Sequence, residues 1–158
     1  MTLADLHDVI QTAMGWTNTH LHEFEIDGVS YGEPDADTDA DWDSPEMADE
    51  SKVQLSRVAH EGDRIRYTYD FGDGWEHDVL VENVVSPQPG GQYPSCVAGR
   101  RSCPPEDVGG PWGYEVFLAG VRDPNHDEHA HWTEWIGGRF EPDEFDLAAV
   151  NDALKEHT

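Results

Sequence analysis

The sequence predicts an α+β fold: a mixed or antiparallel sheet built from hairpins, with helices packed on it. Three features carry that expectation. Two pairs of strand-like segments are joined at Asp27-Gly28 and at Gly72-Asp73-Gly74. Apolar residues recur at helical spacing near both ends of the chain. The length, 158 residues, suits a single domain over 1–158 that buries its own core without disulfides.

The elements follow in chain order. Leu3, Leu6, Val9, Ile10, Ala13 and Met14 form a helical stripe; Thr2 and Asp5 make a capping box, and Gly15 ends the helix. His20 to Ile26 reads as a strand with His20, His22, Phe24 and Ile26 on one face, returning through Val29 to Tyr31. Residues 32–50 read as an acidic loop. Asp35, Asp37, Asp39 and Asp41 alternate there as in a calcium loop, but the glycine and closing glutamate of that motif are missing, so the run reads as solvated. A short helix is expected over 53–60. The central hairpin pairs 64–71 with 75–85: Ile65, Tyr67, Tyr69 and Phe71 alternate with polar residues, and Tyr67, Tyr69, Trp75, His77 and Val79 are expected to face the core. A Pro- and Gly-rich loop covers 86–113. Helices are expected over 114–121 and 129–135. The last, over 146–155, carries Leu147, Val150 and Leu154, with Asp146 as its N-cap.

Charge excludes some partners. Asp and Glu number 34 against 9 Lys and Arg, a net charge of −25. Tight nucleic-acid binding rests on cations that neutralise phosphates, so no direct nucleic-acid contact is expected. The only lysines are Lys52 and Lys155. Acid excess with almost no lysine is the composition of a halophilic surface, where salt screens carboxylate repulsion. An acidic face for a protein partner is the competing explanation. The opening residues lack the regions of a signal peptide, and no apolar run reaches the roughly 20 residues of a membrane helix, so a cytoplasmic protein without membrane association is expected.

Two segments could carry chemistry. In YDFGDGWEHDV, Asp70-Phe71-Gly72 matches a kinase triplet, but the companion kinase motifs are missing and the match is chance. The segment reads either as a tight aromatic hairpin or as a ligand-binding rim of Asp70, Asp73, Trp75 and His77, joined by His20 and His22. In YPSCVAGRRSCPPEDVGGPWGYEVF, Cys96 and Cys103 are the only cysteines. With His77 they make a candidate zinc set, although their spacing is wider than usual for zinc; the alternatives are packing or an occasional disulfide. Arg100 offers a fork for an anion, and Glu106, Asp107 and Tyr114 complete the candidate ligand-binding residues. The 93–114 loop is expected to cover the hairpin and to bring Cys96 or Cys103 near His77 or His20.

The runs LHDVIQTAMGWTNTHLHEF, YDFGDGWEHDV and CPPEDVGGPWGYEVF, with FDLAAVNDAL at the end, resemble the Ri-plasmid open-reading-frame-three family, also labelled insertion-sequence passenger or TnpR proteins. The resemblance covers nearly the whole chain. It implies an α+β fold carried on plasmids, insertion elements and chromosomes, and no defined activity. The TnpR label implies a resolvase, yet the sequence offers no basic DNA-binding arm. Members usually begin with a strand before the first helix. Its absence here leaves an open sheet edge or an upstream start as alternatives. Some members carry a cysteine where Val108 stands, which weakens a cysteine-rich metal site. The expected function is a binding or interaction module of plasmids and mobile elements, with a possible protein partner and no catalytic residue assigned. The alternatives are a metal-dependent hydrolase-like enzyme and an acidic nucleic-acid mimic that binds a basic protein.

Overall fold

The structure, a computed structural model, describes residues 1–33 and 47–157. Residues 34–46 of the expected acidic loop, with Asp35, Asp37, Asp39 and Asp41, lie outside the described residues; at its two ends Gly32 and Ala48–Asp49 are strand rather than loop. The chain forms two compact units: Met1–Gln11 with Asn18–Gly91, and Thr12–Thr17 with Gln92–Thr158.

The first unit holds a five-stranded mixed sheet. Its strands are β1 (His22–Ile26), β2 (Val29–Gly32), β3 (Ala48–Asp49), β4 (Arg64–Tyr69) and β5 (Trp75–Leu80), in the order β3-β2-β1-β4-β5. Both expected hairpins form. Asp27 and Gly28 take positive φ and let β1 return as β2, with Phe24 opposite Tyr31. β4 pairs antiparallel with β5, and Tyr67 stands opposite His77. Among the described residues, the short β3 alone runs parallel, beside β2, which makes the sheet mixed. Alternation buries Phe24, Ile26, Ile65, Tyr67, Tyr69 and Trp75 on one face, and each aromatic core residue of this kind removes a large apolar area from water.

Three expectations are corrected in this unit. β4 ends at Tyr69 instead of reaching 71: Asp70 takes φ 55°, and Phe71 beyond it is 52 % exposed. β5 stops at Leu80 instead of reaching 85. The 53–60 helix shrinks to α2 (Leu55–Val58), preceded by a 3-10 turn over Glu50–Lys52.

Helix α1 (Leu3–Met14) is capped as its sequence predicts. Thr2 N donates to Asp5 Oδ2 at 2.6 Å, and Asp5 N donates to Thr2 Oγ1 at 3.1 Å. Its deepest residues are not the apolar stripe. Leu3, His7 and Gln11 are buried, whereas Leu6, Val9, Ile10, Ala13 and Met14 are not fully enclosed. Two polar side chains therefore enter the interior of the first unit.

The second unit contains α3 (Gly110–Arg122), α4 (His129–Ile136) and α5 (Leu147–Leu154). α3 starts four residues before the expected 114, with Pro111 in its first turn and the left-handed Gly109 before it. Gly113 lies so close to Val108 that any Cβ there would meet the Val108 carbonyl oxygen. Phe117 is fully buried and meets Trp132, Trp135 and Phe140 edge-on, with ring centroids 5.5, 5.9 and 5.0 Å away. Asp146 caps α5 as expected, its Oδ1 accepting from Ala149 N at 2.9 Å. The α5 stripe buries only its end: Leu154 is enclosed, while Leu147 is exposed. No helix among the described residues is long and apolar enough to cross a membrane.

Candidate functional site

In the first unit the polar residues fall into two groups. One lies on the rim. Asp70, in the left-handed region, folds its carboxylate back on its own turn: Oδ1 accepts from Gly72 N at 2.9 Å and Asp73 N at 3.2 Å. Oδ2 stands 3.7 Å from His20 Nε2, and the His20 ring meets Tyr69 edge-on at 5.9 Å. His20 and Asp70 are thus brought together, and Asp73 joins them through its backbone N–H.

The other group is inside. His22 projects into the core and pairs through Nε2 with Glu50 Oε2 at 2.9 Å, both side chains being buried. Its ring lies flat on that of His7, centroids 3.4 Å apart and planes 8° from parallel. His7 Nε2 meets Asn18 Oδ1 at 2.7 Å, and Nδ1 meets the Tyr67 hydroxyl at 2.8 Å. Gln11 Nε2 donates to the same hydroxyl at 2.9 Å, while Gln11 Oε1 accepts from Asn18 N at 3.2 Å. Burial, reinforced by His22, holds His7 below the ordinary histidine range, and burial drives the Tyr67 phenol above its own. On the neighbouring strand His77 is half-buried, its Nδ1 lies 3.2 Å from the Tyr67 carbonyl oxygen, and burial lowers its basicity too. Trp75 belongs to the core.

His7, Gln11, Asn18 and Glu50 were not among the sequence candidates. One signal for them exists: His7 and Gln11 follow Leu3 at steps of four, and so share its helix face. Nothing local marks Glu50.

The remaining candidates belong to the second unit. Arg100 is exposed. Glu106 Oε2 accepts from Thr17 N at 3.0 Å and from Thr17 Oγ1 at 2.6 Å, which ties this loop to residues 12–17. Trp16 Nε1 donates to Pro104 O at 2.9 Å in the same region. Asp107 is exposed with φ 59°. Tyr114 is close to Phe117, their rings stacked with centroids 6.1 Å apart; burial raises its phenol. Cys96 and Cys103 are free thiols. Cys96 Sγ points to Ala98 O at 3.3 Å, while its backbone N and O are both held by the Asn151 side chain, at 2.8 and 2.9 Å. Cys103 Sγ lies 3.6 Å from Met14 Sδ, and burial, with Glu106 nearby, pushes its thiol up to about 12. Such a thiol is protonated at neutral pH and is a poor nucleophile.

Known proteins resemble the chain along nearly its whole length. A family model described as plasmid pRiA4b ORF-3-like protein matches residues 1–149. The uncharacterised protein y4hQ of Sinorhizobium fredii is 42 % identical over 150 residues, covering 94 % of this chain and 73 % of its own. A crystal structure of a protein of unknown function from Methanosarcina mazei Go1 superposes with a TM-score of 0.81 at 37 % identity, covering 92 % of this chain and 81 % of its own.

Proposed function

The chain belongs to the plasmid pRiA4b ORF-3-like family, and on that premise we propose that it is a non-catalytic binding module that takes a basic protein partner on its acidic surface. One observation carries this reading: among the described residues, the buried polar side chains of the first unit hold one another, while many carboxylates face outward. His7, His22, Gln11, Glu50 and Tyr67 hold one another, the Asp70 carboxylate caps its own turn, and the Cys103 thiol is held protonated. Exposed carboxylates such as Glu25, Glu76, Asp127, Glu134 and Asp143 set the outer field instead. A surface of one sign steers an oppositely charged partner to it, and that steering fades as salt rises. The same acid excess fits a cytoplasm rich in salt.

The test is a binding titration with a decalysine peptide and, in parallel, a duplex DNA oligomer. The peptide should bind at about 0.1 M KCl and let go at about 1 M, where the Debye length drops from about 10 to about 3 Å. The DNA should not bind at either salt. DNA binding, or indifference to the peptide at low salt, overturns the reading.

A metal-dependent hydrolase-like reading has one observation in its favour, the His20–Asp70 pair on a left-handed residue at the rim. Metal analysis of the purified protein decides it: a stoichiometric divalent ion favours the enzyme, and metal-free protein favours the binding module.

A further inference from the structure

We propose that the His7–His22 stack is a proton-operated latch: uptake of a proton by His7 releases α1 from the face of the sheet. The argument rests on how the hydrogens must be placed. Asn18 Oδ1 can only accept, so His7 Nε2 carries the ring proton and Nδ1 presents its lone pair. The Tyr67 hydroxyl donates to that lone pair, and its oxygen accepts from Gln11. Gln11 in turn accepts from the Asn18 backbone. His7 Nε2–H, the Tyr67 hydroxyl and the Asn18 backbone N–H thus each have an acceptor within the ring of contacts.

A second proton on His7 has one place to go, Nδ1. There it meets the hydroxyl proton of Tyr67, a fully buried residue. The hydroxyl must turn away and lose its acceptor, and a buried donor without an acceptor is costly. The new charge would also lie flat against the His22 ring, 3.4 Å away. The groups that face His7 come from each element around it. Gln11 and the adjacent Asp8 are on α1, and Asn18 precedes β1. His22 is on β1 with Glu50 behind it, Tyr67 is on β4, and His77 of β5 lies 5.4 Å from the Tyr67 ring. The Asn18 hydrogen bond, Glu50 and Asp8 favour the proton, but burial and His22 outweigh them.

The sign follows. In the docked helix His7 binds a proton less readily than in the released one, where it returns to the ordinary histidine range. Docking is at full strength above that range and weakens as pH falls through it towards the lower folded value. One proton can change the opening equilibrium by at most about tenfold per pH unit.

Hydrogen exchange of the α1 amides tests this, corrected for intrinsic rates, at about 1 M KCl so that surface carboxylates are screened. Opening should increase by up to about tenfold between about pH 6.5 and 5.5. His7→Gln should abolish the response, and His60→Gln, at an exposed histidine, should keep it. Ring nitrogen shifts of His7 in the unmodified protein give a second measurement should His7→Gln fail to fold. They should show the Nε2–H form at neutral pH and titrate together with α1 opening. A pH-independent α1, a response that survives His7→Gln, or a ring that titrates with α1 still docked each overturns the latch.

Discussion

The two units build their interiors by different means. The first places two histidines, a glutamate, a glutamine and a tyrosine hydroxyl beneath its helix, each satisfied by a neighbour. The second relies on rings: Phe117 is enclosed by Trp132, Trp135 and Phe140 with edge-to-face geometry. A polar interior is specified by hydrogen-bond pairing and answers to protons. An aromatic interior is specified by volume and is indifferent to pH. Losing one polar partner strands those that remain, whereas losing one ring leaves a void.

The largest effect should come from the aromatic side. Phe117→Ala removes a fully buried ring and should cost about 3–5 kcal/mol, read by chemical denaturation, with the same loss at pH 6 and pH 8. A strong pH dependence of that loss would erase the contrast. On the polar side, Tyr67→Phe keeps the ring but strands His7 Nδ1 and Gln11 Nε2, and should cost about 1–3 kcal/mol. A cost near zero would mean the hydroxyl is not the hub of the network. Salt acts on both units from outside. With a net charge of −25, melting temperature should rise from about 0.1 to 2 M KCl, since each close like-charge pair at about 4 Å costs about 1 kcal/mol in water and is screened across this range. A flat or falling melting curve would refute surface repulsion and leave a basic partner as the reason for the acid excess. The smallest effect is local: Asp146→Ala removes the α5 cap and should cost about 1 kcal/mol by thermal melting, without altering the pH response of α1.

Reactivity gives a last comparison, inside the second unit. Cys103, its thiol pushed up to about 12, should resist a maleimide at pH 7.5, while Cys96 should react first. Mass mapping of the labelled peptides shows the order, and equal rates would deny that burial controls Cys103.

The sequence is informative wherever structure is set by neighbours along the chain. The capping box at Thr2 and Asp5, the Asp27-Gly28 turn, the Asp146 cap and the alternation through Tyr67 and Tyr69 are all legible, because each depends on residues within a few positions of one another. The family, too, is legible from motifs in their order. The helical stripe misleads for a related reason: hydrophobicity alone counts Val9 and Ala13 as inward and passes over His7 and Gln11. Polar residues on a helix face are ordinarily solvated, and only partners waiting across the core draw them inside. Those partners come from distant positions. His7 must meet Asn18, His22 and Tyr67, and His22 must meet Glu50, which follows residues outside the described part of the chain. No periodicity links these segments. Local rules determine which helices and strands form; the sheet order, with β1 between β2 and β4, determines that a buried imidazole finds an acceptor and that its desolvation is offset.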